Sequence, residues 1–121
     1  MSICIGFYFN NEKILDVEIK GQTYLGRSRR NDIIIKDPKL SSVHCYLDFN
    51  SENRLYIMDM KSKNGIYFQG EKVHTHNILM DQKITLGNHF IMLEKEYITK
   101  EEIILYRNPE TTPMPSKNEI D

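Results

Sequence analysis

From Ile3 to Leu93 the apolar residues come in runs of strand length, each closed by a turn signal, and they nowhere recur at helical spacing. Such a pattern argues for an all-β fold and against helix bundles or alternating βα units. Ile3–Phe9 and Ile14–Ile19 flank Asn10-Asn11-Glu12, a composition suited to a tight hairpin. Lys20-Gly21-Gln22 breaks to Tyr24-Leu25, and Gly26 opens a long polar connection to the β-branched run Ile33–Ile35. Val43, Cys45, Leu47 and Phe49 alternate with His44, Tyr46 and Asp48, the period of a half-buried strand. Asn50–Asn53 turns the chain into Leu55–Met58. Ile66-Tyr67-Phe68 and Gly70-Glu71 predict a small hairpin, and Ile84–Leu86 and Phe90–Leu93 surround Gly87-Asn88. About ten short strands at this spacing suit a sandwich or a barrel.

The chain has 121 residues, room for one domain, expected over residues 1–95. In the extension 96–107, Thr99 and Glu102 stand at capping-box spacing before Ile103-Ile104-Leu105, which favours a short helix; the β-branched pair leaves a last strand open. Residues 108–121 are polar and proline-rich and read as a flexible linker or tail, so the chain is either part of a longer protein or ends in a tail. Seven Tyr, five Phe and 40% hydrophobic residues fit a globular β protein. A net charge of -1 argues against a general nucleic-acid or membrane-surface binder. Cys4 and Cys45 lack metal or redox spacing and read as two reduced thiols, with a single disulfide left open. Ser2–Asn10 has no secretory features, and no apolar run approaches the roughly 20 residues of a membrane helix. A cytoplasmic protein is expected.

Charge is locally concentrated at Arg27, Arg29, Arg30, Lys36 and Lys39. Three segments carry polar groups where loops are expected: Gly26-Arg27 with Asn31-Asp32-Ile33; Ser41-Ser42-Val43-His44; and Asp59 with Ser62-Lys63-Asn64-Gly65. They offer a guanidinium, hydroxyls, an ammonium and a carboxamide. Arginine matches phosphate oxygens with a planar fork. Serine donates from a short hydroxyl, and asparagine both donates to and accepts from a peptide backbone. The set suits a phosphate dianion beside an extended chain.

The order G-R, N-D-I, S-x-x-H, S-x-N-G resembles the signature of the FHA (forkhead-associated) domain, and Leu79–Gly87 resembles that family's late L-x-D-G-D-x-I-x-L-G segment. The resemblance spans roughly residues 3 to 94. It implies a β-sandwich of two antiparallel sheets with about 10–11 strands, and recognition of phosphothreonine-containing protein segments in signalling. It also implies residue roles. Arg27 and Ser41 hold the phosphate, with Ser42 and Lys63 flanking it; Asn64 bonds the ligand backbone; Lys39 reads a neighbouring acidic residue. Gly26, His44 and Gly65 support the loops. The sequence departs from the pattern at Lys63 and Ile66, where Thr is common, and at Gln82, where Gly is usual.

Plainer readings compete. Gly26 and Gly65 suit turns or close approach. His44 lies three residues after Ser41, but triad members usually converge from distant positions, so a structural histidine is the preferred reading and no enzymatic activity is expected. His74-Thr75-His76 reads as a solvated loop, and no metal or cofactor is called for. Asp59 suits a cap of its own turn. The alternative function is a structural or self-associating domain of the same fold, indifferent to phosphate. Thr111 and Thr112 in the tail are candidate phosphorylation sites whose products would be ligands for the Arg27 site of the same or a neighbouring chain.

Overall fold

The computed structural model describes residues Ile3–Glu94, which form eleven strands and no helix. Six build one sheet in the order β2-β1-β11-β10-β7-β8: β1 (Ile3–Phe9), β2 (Glu12–Ile19), β7 (Ile66–Phe68), β8 (Glu71–Val73), β10 (Ile84–Leu86) and β11 (His89–Leu93). Five build the other in the order β4-β3-β5-β6-β9: β3 (Thr23–Gly26), β4 (Ile33–Ile34), β5 (Cys45–Phe49), β6 (Leu55–Asp59) and β9 (Thr75–Asn77). All pairings are antiparallel except β3 with β4.

Alternation along the strands sends one face of each sheet into a shared core. Ile5, Phe7, Ile66, Ile84 and Ile91 of the larger sheet and Leu25, Cys45, Leu47, Leu55 and Ile57 of the smaller are fully buried. Each such side chain contributes about 1.5–3 kcal/mol relative to leaving it in water. The β1–β2 turn is Asn10-Asn11 with φ of 54° and 64°, and the β7–β8 turn is Gln69-Gly70 with φ of 54° and 81°. Both carry the two left-handed residues of a hairpin turn that matches strand twist. Among the described residues only β2 offers a long edge, which a register shift opposite Phe7/Tyr8 interrupts and the charged pair Lys13–Asp16 (3.2 Å) flanks.

Two expectations need correction. Residues 75–77 form an edge strand rather than a solvated loop. His76 Nε2 lies 2.8 Å from Gln82 Oε1, and its ring packs on Phe68 at 4.5 Å between centroids. Three polar residues gave no apolar alternation to read. The alternation proposed for Val43–Phe49 also fails at its start: His44 is fully buried, Val43 is not, and the strand begins at Cys45. The small hairpin expected from Ile66-Tyr67-Phe68 and Gly70-Glu71 is present as β7 and β8, turning at Gln69-Gly70. The expectations for 95–121 lie outside the described residues. Both cysteines are free, and burial, then Asp59, pushes the Cys45 thiol up. No helix among the described residues is long and apolar enough to cross a membrane.

Candidate functional site

The polar loops gather at one end of the sandwich, and the backbone of residues 39–42 is their common support. Four successive carbonyls each take a donor from another loop segment. Lys39 O accepts from Asn64 Nδ2 (2.8 Å) and Leu40 O from Arg27 Nε (3.1 Å). Ser41 O accepts from Arg27 N (3.1 Å), and Ser42 O from Ser28 N (3.1 Å) and Asn31 Nδ2 (2.6 Å). Such close approach needs a glycine at position 26. A Cβ there would collide with the Ser42 carbonyl and stand 2.9 Å from His44 N.

His44 joins the second loop to the third. Its Nδ1 accepts from Ser41 N (3.1 Å), so its Nε2 carries the proton and donates to Gly65 O (2.8 Å). With both ring nitrogens bonded to backbone, His44 is not placed as a base for the Ser41 hydroxyl. Ser41 Oγ instead accepts from Lys63 N (2.9 Å), which leaves its own hydrogen free to donate outward. In the β6–β7 loop, Asp59 takes Ser62 N (3.2 Å) and the Ser62 hydroxyl, and Ser62 Oγ takes Gly65 N (2.9 Å). Asp59 thus closes its own turn, and Gly65 sits in the left-handed region at φ +77°.

The candidate residues therefore divide into holders and presenters. Gly26, His44 and Gly65 are buried in the supporting framework, while Arg27, Lys39, Ser42, Lys63 and Asn64 are exposed and Ser41 half-exposed. Arg27 uses Nε internally, and no described residue pairs with its two terminal amines. Among the described residues neither Lys39 nor Lys63 makes an ion pair and Asn64 Oδ1 accepts no hydrogen bond. Arg29, Arg30, Lys36 and Lys61 are exposed on the same loops, where Asp37 and Asp59 are buried and Asp32 is the exposed acid, so cations outnumber anions on this surface. Lys39, Asn64, Tyr67, Thr85 and Gly87 line a shallow pocket of about 260 Å³ beside it.

Ile66 points into the core, fully buried, and takes no part in this surface. Gln82 closes a turn: its Oε1 accepts from Leu79 N (3.1 Å) as well as meeting His76. Sequence reasoning overlooked Asp37, which is 2% exposed and receives four hydrogen bonds. The signal available was Asp37-Pro38, the favoured opening of a turn.

Burial alone would push the Asp37 carboxyl up, but the N–H groups of Lys39 and Asn88 and the His89 ring outweigh it and hold the carboxyl below its ordinary value. A carboxyl depressed in the folded state stabilises the fold above the unfolded value of about 3.9 and loses that contribution as pH falls through the folded value. Acid unfolding followed by circular dichroism is expected to show this loss below about pH 4. Asp37→Asn should be less stable at pH 7 and flatter across the acid range. An unchanged acid profile in that variant would refute the assignment.

Residues 23–87, more than half of the chain, match the family described as FHA domain. No curated protein sequence matches the chain. Among solved structures, the FHA domain of the CT664 protein from Chlamydia trachomatis is similar at 22% identity and a TM-score of 0.68, over 77% of this chain and 96% of that one. The Slr1951 protein from Synechocystis is similar at 25% identity and a TM-score of 0.67, over 77% and 94%. Mycobacterium tuberculosis EmbR, solved in complex with a low affinity phosphopeptide, is similar at 18% identity and a TM-score of 0.65, over 76% of this chain and 24% of that one. With the family matched across the polar loops and the strands between them, the chain belongs to the FHA domain family.

Proposed function

We propose that this domain binds phosphothreonine-containing protein segments at the Arg27 loop end and thereby links partners in a phosphorylation-dependent way. The observation that carries the reading is Arg27 itself: its Nε is fixed on Leu40 O, and its terminal amines point to no protein partner among the described residues. In this reading those amines grip two phosphate oxygens, and the Ser41 hydroxyl donates to the phosphate. Ser42 and Lys63 flank it, and Asn64 Oδ1 accepts from the ligand backbone. Lys39 meets an acidic side chain nearby. Charge-assisted hydrogen bonds contribute about 1.5–3 kcal/mol each, so three or four supply most of a micromolar affinity. Family membership and the phosphopeptide complex of EmbR add support. The ligand is held and released unchanged, since His44 is committed to backbone on both nitrogens.

Calorimetric titration with one peptide in phosphothreonine, phosphoserine and unphosphorylated forms tests the reading. The phosphothreonine form should bind and the unphosphorylated form should not. Affinity should fall as pH drops below about 6, where the phosphate loses its second charge. Equal affinity for phosphorylated and unphosphorylated peptide would select a phosphate-independent module instead. Phosphorylated Thr111 or Thr112 is a ligand within the same chain in this reading. Size measurement before and after tail phosphorylation, with Arg27→Ala as control, detects it between chains.

A further inference from the structure

Asp37 lies below the binding surface, yet it holds one of the groups that would meet a ligand. It opens a turn, Asp37-Pro38-Lys39-Leu40, in which Leu40 N donates to Asp37 O (2.9 Å). Its carboxylate joins its own β4–β5 connection to the β10–β11 turn of the larger sheet. Oδ1 accepts from Lys39 N (2.9 Å) and Asn88 Nδ2 (3.0 Å), and Oδ2 from Asn88 N (2.7 Å) and His89 Nδ1 (2.8 Å). The turn between β4 and β5 is thereby riveted to the turn between β10 and β11. The fit is tight, since a Cβ on Gly87 would stand 2.8 Å from Asp37 Oδ2 and 3.2 Å from Lys39 Cβ.

The chain of bonds continues from Asp37 Oδ1 to Lys39 N, and from Lys39 O to Asn64 Nδ2. Beyond Lys39 the carboxylate makes no bond, and Leu40 N is held by the Asp37 main-chain oxygen, which a change of side chain leaves in place. Leu40 is anchored by its buried side chain, Ser41 N by His44, and Arg27 by the carbonyls of Leu40 and Ser41. We infer that Asp37 is a positioning residue for Asn64. Its carboxylate fixes the Pro38–Lys39 peptide and through it the backbone of Lys39, whose carbonyl in the next peptide aims the Asn64 amide at the ligand backbone. The groups that hold phosphate make no bond to that carboxylate. This inference rests on the reading of Asn64 given above. A carboxylate is required because four donors converge on it. An asparagine would turn an NH2 group toward some of them.

The test compares wild type, Asp37→Asn, Asn64→Ala and the double variant. A phosphothreonine peptide is titrated by calorimetry, and inorganic phosphate by amide shifts of Ser41 and Lys63 in NMR. Asp37→Asn should weaken peptide binding about tenfold, the weight of one good hydrogen bond, with phosphate affinity unchanged. The double variant should bind no more weakly than Asn64→Ala alone. Additive losses, an equal loss of phosphate affinity, or wild-type peptide affinity in Asp37→Asn would each overturn the inference. If Asp37→Asn fails to fold, Asn88→Ala, which removes one donor and leaves the carboxylate, should show the same split at a smaller amplitude. Should the wild type fail to distinguish phosphorylated from unphosphorylated peptide, the underlying reading falls. The Asn64 side-chain amide still reports separately: its protons should exchange faster in Asp37→Asn, and unchanged exchange would refute the linkage.

Discussion

Arg27→Ala is expected to abolish binding of a phosphothreonine peptide while the unfolding midpoint stays near that of the wild type. The side chain is exposed, and its one bond to the framework, Nε to Leu40 O, sits at the rim. Surface truncations of this kind change stability by about 0.5 kcal/mol or less. The binding loss is of another order. Two charge-assisted bonds to a dianion contribute at least about 3 kcal/mol together, a loss of roughly hundredfold or more. Arg27→Lys keeps the charge but not the fork, and should fall between the two. Calorimetry with a parallel thermal melt decides the matter. Unchanged affinity in Arg27→Ala would displace the site from this loop.

His44→Ala should produce the largest loss of stability among the residues of the site. The ring is fully buried, and its removal leaves Ser41 N and Gly65 O unpartnered next to a new cavity. Each unsatisfied group costs about 1–3 kcal/mol, and the cavity adds to that. A total of roughly 3–5 kcal/mol is a large share of the 5–15 kcal/mol that holds a typical domain together. Peptide affinity should fall in the variant molecules that remain folded, because the Ser41 and Gly65 loops lose the post between them. Urea unfolding measures the first effect. A change under about 1 kcal/mol would mean that water or neighbouring groups replace the ring.

The strand pattern was legible wherever one face of a strand met the core. β1, β6 and β10 announce themselves through Ile3, Ile5 and Phe7, Leu55 and Ile57, and Ile84 and Leu86 at alternate positions, all buried. β9 stayed hidden because its residues, Thr75, His76 and Asn77, are half-buried at most and hold their place by backbone pairing with β6. The presenters Arg27, Ser41 and Asn64 were legible by residue type and order. Their support was less so, because it is made of carbonyls, which a sequence does not display. Asp37 illustrates the limit: its partners Asn88 and His89 lie 51 and 52 positions away. Only the folded topology brings them to it.

Since the peptide groups of residues 39–42 hold neighbouring loops through their oxygens, the side chains of Lys39 and Ser42 are released from any holding duty. Lys63 is in the same position, meeting Ser41 through its own N–H. These three positions can be exchanged to alter what the surface prefers without disturbing how it is built. A library varied at 39, 42 and 63 alone would therefore search for new ligand preferences on an unaltered frame.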